Sequence, residues 1–152
     1  MAKLNGFRVF DADGHIWEND DELVGFYEDE YAGCTKVQGL GIFPGLDGWS
    51  RGPLLAKEDG NRKHWHTDAG IWGEFLDDLG AEGSVLFPTF GLAHGLMRDV
   101  PFAVATATAY NSWLDANYTS QDKRLYGVAL VPVQDPEAAA REIKRCAEKR
   151  TN

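Results

Sequence analysis

The sequence predicts an α/β fold built on a parallel β-sheet. Predicted elements alternate in the order strand, helix, long loop, helix, strand, helix, strand, helix. Such alternation implies right-handed crossovers that return each strand parallel to the previous one. The run LYGVALVPV at 125–133 is apolar almost throughout, as expected of a strand covered on both faces. With 152 residues, the chain is expected to form one domain.

The first half of the chain contains one strand, one helix and a long loop. FRVFDA at 7–12 is predicted to be strand one. Helix one is predicted to begin at Asn19, because Glu22 stands three residues later as in a capping box. Its buried face would comprise Leu23, Phe26, Tyr27 and Tyr31, and it would end at Ala32 and Gly33. The glycine-rich stretch 33–66 shows no sustained period and is predicted to be a long loop insertion.

The second half supplies the remaining elements. Helix two is predicted from Thr67 to Gly80, followed by strand two at 83–89 and a loop at 89–98. Another helix is predicted over 100–118, strand three over 125–133, and a last helix from Asp135 to about Arg150. The buried stripe of helix two would comprise Ile71, Trp72, Phe75, Leu76 and Leu79. The inward residues of the last helix would be Ala139, Ile143, and Cys146 or Ala147.

Charge and cysteine content argue against several classes of function. The formal net charge of −9 and a pI near 4.8 would repel nucleic acid and anionic membrane surfaces. The sequence begins without the apolar segment of a signal peptide and has no run long enough to span a bilayer, so we expect a cytoplasmic protein. Cys34 and Cys146 lack CxxC spacing, which predicts neither a zinc knuckle nor a redox motif.

Polar residues alternate along VFDADGHIWEN at 9–19, directly after the apolar start of strand one. If the extended conformation persists, Asp11, Asp13 and His15 face one side of the strand. The Cα atoms of neighbouring members of this set would be roughly 6.5–7 Å apart. Carboxylate and imidazole groups at this separation can converge on a metal ion. An alternative is that the aspartates cap turns and that His15 is a buried structural histidine. The carboxyl end of a parallel strand is also where α/β folds place catalytic groups.

This pattern resembles the amidohydrolase-related proteins of the aminocarboxymuconate-semialdehyde decarboxylase type. The likeness continues in LFPT at 86–89, YNSWLD at 110–115 and RLYGVALVPVQDPEAAAREI at 124–143. The resemblance implies a metal-dependent (β/α)8 TIM barrel in which Asp13 and His15 are metal ligands at the end of strand one. The implied cofactor is a divalent metal, zinc or manganese, with Asp11 as a supporting or capping group.

The resemblance covers only the N-terminal part of such a barrel, which typically needs about 250 residues. We therefore expect residues 1–152 to be the first three βα units, without the later histidine and aspartate ligands. The implied activity is decarboxylation of an unsaturated or aromatic carboxylic acid, with hydrolysis of an amide or lactone as the alternative. A third possibility is a non-catalytic fragment or subunit. Three strands leave two open edges, which predicts a homo-oligomer or association with the missing barrel half.

Other side chains are candidates for contact with a small carboxylic acid substrate. His94, in the loop after strand two, is the candidate catalytic residue because it would lie on the presumed catalytic face, with a solvated loop histidine as the alternative. Trp17, Glu18 and Phe90 are candidate substrate-binding residues. Core packing explains Trp17 and Phe90 equally well, and the alternative for Glu18 is that it favours the start of helix one through the helix dipole. The pair His64 and His66 has the His-x-His spacing of barrel metallohydrolases, but it follows no apolar strand, which favours a loop.

Overall fold

A computed structural model of the chain describes residues 7–33, 41–45 and 67–150. Its elements, in chain order, are β1 (Asp11–Ile16), α1 (Asp20–Leu23), 3-10 turns at Val24–Phe26 and Asp29–Tyr31, α2 (Ala69–Leu79), β2 (Ser84–Pro88), a 3-10 segment at Phe90–Leu96, α3 (Val100–Leu114), a π-helical segment at Asp115–Thr119, β3 (Leu125–Gly127) and α4 (Pro136–Arg150).

The elements belong to two compact units. The first unit draws on Met1–Trp17, Asn61–Thr89 and Leu114–Val128, and the second on Glu18–Gly60, Phe90–Trp113 and Ala129–Asn152. The first unit contains the sheet, whose strands are parallel in the order β1-β2-β3. The predicted α/β class with a parallel sheet is therefore confirmed.

Strands one and three differ from their predicted bounds. Strand β1 is Asp11–Ile16 rather than 7–12, and β3 is Leu125–Gly127 rather than 125–133. After β3, in the second unit, the side-chain amide of Asn111 makes the hydrogen bonds to the backbone of Leu130 that a neighbouring strand would otherwise make. Its Nδ2 donates to the Leu130 carbonyl at 2.8 Å, and its Oδ1 accepts from the Leu130 N–H at 2.8 Å. A side chain thus satisfies backbone groups that we predicted would join the sheet ladder.

Helix α2 has the predicted end but a different buried face. Gly80 ends it with a left-handed φ of 66°, while Asp68 caps its start by accepting the Ile71 N–H at 2.9 Å. The predicted stripe is wrong in part, because Ile71, Phe75 and Leu79 are exposed. The buried residues of α2 are Ala69, Gly73 and Leu76. Small residues face inward here because neighbouring groups lie close: a Cβ on Gly73 would be 3.2 Å from Arg124 Nη2.

The prediction of one helix from Asn19 to about Gly33, in the second unit, is wrong. Asn19 does cap α1 by accepting the Asp21 N–H at 3.1 Å, but the α-helix ends at Leu23 and short 3-10 turns follow. Tyr27 leaves the helical conformation and stacks on Phe102, with ring centroids 5.8 Å apart. The Tyr27 hydroxyl also hydrogen-bonds to the Thr106 hydroxyl at 2.7 Å. These tertiary contacts override the local helical pattern.

The predicted inward face of helix α4 is wrong in part: Ala139 and Cys146 are half-buried, Ile143 and Ala147 are exposed, and the buried residues are Ala138 and Glu142. Ile143 is 56% exposed, whereas Glu142 is 5% exposed. The Glu142 carboxylate accepts from Asn111 Nδ2 at 2.7 Å and from Arg145 Nη2 at 2.6 Å. Burial opposes ionisation of Glu142, but the hydrogen bonds from Arg145 and Asn111 outweigh it and lower the pKa of this carboxyl. The paired charge makes burial of this glutamate tolerable.

The predicted loops have mixed outcomes. The predicted loop at 89–98 contains the 3-10 segment Phe90–Leu96. Most of the predicted insertion at 33–66, including Cys34, lies outside the described residues. Within it, Phe43 is buried and meets Tyr110 edge-on with ring centroids 6.5 Å apart, so this part contributes to the core of the second unit. In the described ranges, none of the helices has the length and apolar character needed to cross a bilayer.

Candidate metal centre

Strand β1 contains a bulge that decides where its polar side chains point. Asp11 is paired with Ser84 of β2, and Gly14 with Leu86, so β1 has one more residue than β2 between these pairs. Asp11 and Gly14 consequently share the face of Ser84 and Leu86, both of which are fully buried. The prediction that Asp11, Asp13 and His15 share one face is wrong, because the bulge breaks the period of two.

Asp13 and His15 come together on the other face of β1. His15 Nε2 lies 3.8 Å from Asp13 Oδ1. The Asp13 side chain is 90% exposed and that of His15 is 33% exposed, so both are accessible from solvent. The two predicted ligands therefore present an oxygen and a nitrogen donor close to each other within β1, where Asp13 is the third and His15 the fifth of six residues.

The His15 ring contacts Phe87 in β2 and Thr89, which directly follows β2. Its pairing partner Phe87 lies alongside it, with ring centroids 5.9 Å apart. Thr89 Oγ1 lies 3.4 Å from His15 Nδ1. If Nδ1 carries the proton and donates to this hydroxyl, the lone pair of Nε2 points to the side where Asp13 stands. Such a contact to the second ring nitrogen commonly sets the tautomer of a metal-binding histidine.

The Asp11 carboxylate hydrogen-bonds to both strands at the bulge rather than facing the site. Its Oδ2 accepts a hydrogen bond from the Ser84 hydroxyl at 2.6 Å, and its Oδ1 accepts from the Asp13 N–H at 3.2 Å. Gly14 stands where the strands approach closely, because a Cβ there would clash with Ser84 Oγ and lie 2.9 Å from the Trp72 ring. Sequence reasoning missed Ser84, for which no motif was available, and assigned Thr89 only to the end of strand two.

The donor set fits part of a site for the divalent metal that the resemblance implies. A carboxylate oxygen and an imidazole nitrogen are ligands used by zinc and, with carboxylate more prominent, by manganese. Among the described residues, however, no group of three His, Cys, Asp or Glu side chains is arranged to hold a metal ion. Asp13 and His15 can therefore supply two of the protein ligands, whereas catalytic zinc usually takes three.

Glu18 is buried in the second unit, where it holds the start of a 3-10 segment. The residue is only 5% exposed. Oε2 accepts the Phe90 N–H at 2.9 Å and Oε1 accepts the Gly91 N–H at 2.8 Å. A carboxylate at the amino end of a helical segment satisfies N–H groups that have no partner within the segment. This capping explains the burial of Glu18, and its role in substrate binding stays a prediction.

His94 lies in the same 3-10 segment and is 2% exposed. Its Nε2 lies 2.8 Å from the Ala103 carbonyl oxygen, to which it donates in the Nε2–H tautomer. Gln134 Nε2 in turn donates to the His94 carbonyl at 2.9 Å. These contacts are those of a buried structural histidine, and the catalytic role of His94 stays a prediction.

The substrate-binding roles of Trp17 and Phe90 stay predictions. Trp17 belongs to the first unit and Phe90 to the second, and both are half-buried. Phe90 contributes its backbone N–H to Glu18. His64 and His66 lie outside the described residues.

A family model described as amidohydrolase matches residues 10–151, which is nearly the whole chain. The chain belongs to the amidohydrolase family. The match begins just before β1 and includes Asp13, His15 and all three strands. No curated protein matches the chain.

The fold is similar to that of a solved amidohydrolase from Mycobacterium avium subsp. paratuberculosis. The TM-score is 0.67 at 18% sequence identity, with 94% of this chain and 47% of that chain covered. The present chain thus spans about half the length of that amidohydrolase. Together with the parallel sheet, this likeness is consistent with part of an amidohydrolase TIM barrel.

Proposed function

We propose that residues 1–152 are the N-terminal three βα units of a metal-dependent amidohydrolase-family barrel, and that Asp13 and His15 are its strand-one metal ligands. The observation that carries this proposal is the 3.8 Å separation of His15 Nε2 and Asp13 Oδ1 in β1. Family membership supports a hydrolase-like enzyme that uses a divalent metal. Zinc and manganese are the two candidates for the metal.

The chain's own residues would hold and orient the cation. Asp13 would contribute a negatively charged oxygen, and His15 a neutral nitrogen whose orientation is set by Thr89 and Phe87. A divalent cation bound there would supply Lewis-acid stabilisation of negative charge on substrate oxygens. The exposed Asp13 side chain and the partly exposed His15 ring leave room for a substrate to approach them.

For the reaction, we propose decarboxylation of an unsaturated or aromatic carboxylic acid. The support is the likeness of the sequence to decarboxylases of the aminocarboxymuconate-semialdehyde type, carried by the 9–19 pattern and the 124–143 block. Hydrolysis of an amide or lactone is the alternative, because the same two ligands serve either reaction. Release of CO2 from a panel of such acids, compared with hydrolysis of lactones and amides, separates the two.

Metal binding by the chain itself tests the proposal most directly. Titration with Co2+, followed by its visible absorption and by calorimetry, should show binding that Asp13→Ala and His15→Ala each weaken by at least tenfold. Asp135→Ala is the control, because this aspartate caps α4 in the second unit by accepting the Ala138 N–H at 3.0 Å. If both strand-one variants bind Co2+ as the unmodified chain does, the ligand assignment is wrong.

A second proposal, of another class, is that the chain is a subunit that pairs with a further barrel half or with a second copy. Two observations favour it. In the described part of the chain β1 pairs only with β2, which leaves an open sheet edge. Helix α2 also exposes the apolar side chains of Ile71, Phe75 and Leu79 along one flank. This role does not exclude the first, since a completed barrel would bring the missing ligands.

A further inference from the structure

We propose that Asp11 is a positioning residue whose carboxylate holds the β1 bulge in place and so directs Asp13 and His15 to the same accessible face. The proposal rests on the proposed function of Asp13 and His15 as metal ligands. It gives a role to a residue that neither binds the metal in our proposal nor faces the site.

The pairing register shows what the bulge achieves. Without the extra residue, Asp13 would stand opposite Leu86 and His15 opposite Pro88, both on the buried face. A shift of one residue in a strand moves its side chains to the opposite face. With the bulge, His15 pairs with Phe87 instead, and the fully buried Leu86 is paired with Gly14. The bulge is therefore the feature that brings the two candidate ligands out of the buried layer.

The Asp11 carboxylate bonds to both sides of the irregular segment. One oxygen accepts the N–H of Asp13, which lies inside the bulge, at 3.2 Å. The other accepts the hydroxyl of Ser84 on the neighbouring strand at 2.6 Å. The Asp11 N–H also donates to the Gly83 carbonyl at 2.9 Å. The bulged backbone is thus tied to β2 through one side chain, immediately before the first candidate ligand.

Close packing under the bulge makes this register selective. Ser84 is fully buried, and a Cβ at position 14 would clash with its hydroxyl and lie 2.9 Å from both the Trp72 ring and the Val85 carbonyl oxygen. Only glycine fits opposite Leu86, so a slipped strand would place the Asp13 side chain where there is no room for it. The Asp11 to Ser84 hydrogen bond and the glycine position therefore favour the same register.

The test compares substitutions that break these hydrogen bonds with substitutions of the ligands. Asp11→Ala should weaken Co2+ binding about tenfold or more and change the visible spectrum of the bound ion, as is common when residues that orient metal ligands are removed. Ser84→Ala, which removes one of the two hydrogen bonds, should weaken binding less. Asp11→Asn keeps an oxygen for the Asp13 N–H and should restore most of the affinity lost in Asp11→Ala.

Asp122 provides a matched control in the first unit. Its Oδ1 accepts the Arg124 N–H at 2.9 Å and its Oδ2 accepts from Arg124 Nη2 at 2.7 Å, so it too bonds to a backbone N–H two residues on and to a side chain. Asp122→Ala should lower stability without changing the Co2+ affinity or spectrum. If it weakens binding as much as Asp11→Ala does, or if Asp11→Ala binds normally while Asp13→Ala and His15→Ala bind weakly, the positioning role is overturned.

A measurement on the metal-free protein separates this inference from the proposed metal function. The His15 and Phe87 rings, with centroids 5.9 Å apart, should give an NMR cross-relaxation signal that is retained in Asp11→Asn and lost or strongly reduced in Asp11→Ala. If the signal persists in Asp11→Ala, the bulge does not depend on Asp11, whatever the metal data show. If Asp13→Ala and His15→Ala leave Co2+ binding unchanged while this signal behaves as expected, the metal proposal fails and the structural role of Asp11 stands. Ser84→Ala provides the same comparison if Asp11→Ala does not fold.

Discussion

The Nε2 atom of His94 lies 2.8 Å from the carbonyl oxygen of Ala103, on a side chain that is almost completely buried. Burial lowers the pKa of His94 below its ordinary value of 6.5, because a protonated ring would be poorly solvated there. The bond to Ala103 acts in the opposite direction without overcoming the effect of burial. The histidine is therefore neutral in the folded protein at neutral pH.

We predict that this buried neutral histidine makes the protein less stable in mild acid. The folded-state pKa lies below the unfolded value, so the unfolded chain binds the proton first as the pH falls through about 6.5. Above that pH, His94 does not lower the free energy of unfolding. As the pH falls further, the free energy of unfolding decreases by up to about 1.4 kcal/mol per pH unit until the folded-state pKa is reached. Urea unfolding at intervals between pH 7.5 and pH 5 measures this slope.

His94→Gln is the matched variant for this prediction, because its side-chain amide can still donate to the Ala103 carbonyl. The pH slope should become shallower in His94→Gln than in the unmodified chain. Equal slopes for the unmodified chain and His94→Gln would show that His94 is not the group responsible.

Removal of the Glu18 carboxylate should destabilise the second unit. Glu18→Ala leaves the N–H groups of Phe90 and Gly91 without this acceptor, at a cost of roughly 1–3 kcal/mol for each group that stays buried and unpaired. Glu18→Gln keeps one carbonyl oxygen and should lose less. Denaturant unfolding measures both, with Glu74→Ala on the exposed side of α2 as the control. A loss in Glu18→Ala no larger than in this control would contradict the capping role.

The Thr89 hydroxyl should contribute to metal binding through His15. Thr89→Val keeps the shape of the side chain but removes the group 3.4 Å from His15 Nδ1, so the ring loses an orienting contact. We expect about a tenfold weaker affinity for Co2+, at the lower end of what such outer contacts usually contribute. Thr119→Val removes a hydroxyl that bonds to Asp115 at 2.8 Å in the same unit and should leave the affinity unchanged. Calorimetric titration of both variants decides between an orienting and a purely structural hydroxyl.

Much of the architecture could be predicted because local signals determine it. Gly80 ends α2 as predicted, since a left-handed residue at a helix end favours glycine. The inward faces were harder to predict, because they depend on tertiary partners. Ile143 satisfies the apolar period of α4, yet it is exposed, whereas Glu142 is buried because Asn111 and Arg145 hydrogen-bond to its carboxylate. No property of the local sequence reveals that these polar partners are present.

The candidate metal centre was predicted in part for a similar reason. The short spacing of Asp13 and His15 suffices to bring them together in an extended strand. The different orientation of Asp11 follows from a bulge, whose position depends on the partner strand and on the hydroxyl of Ser84. A period of two counted along β1 alone cannot include that contribution from β2.

The exposed flank of α2 predicts self-association or pairing with another chain. Ile71, Phe75 and Leu79 are spaced by four residues and are between 39% and 44% exposed, so they form one apolar row. The opposite flank is already occupied, since Asp77 pairs with Arg124 Nη1 at 2.7 Å. If the row is covered in an assembly, Phe75→Lys should raise the dissociation constant at least about tenfold, because burial of a phenylalanine contributes roughly 1.5–3 kcal/mol. Light scattering after size exclusion measures the change, and Glu74→Lys is the control for added charge on the same helix. If the unmodified chain is purely monomeric at high concentration, self-association is contradicted. The partner is then a second polypeptide, to be sought by co-purification.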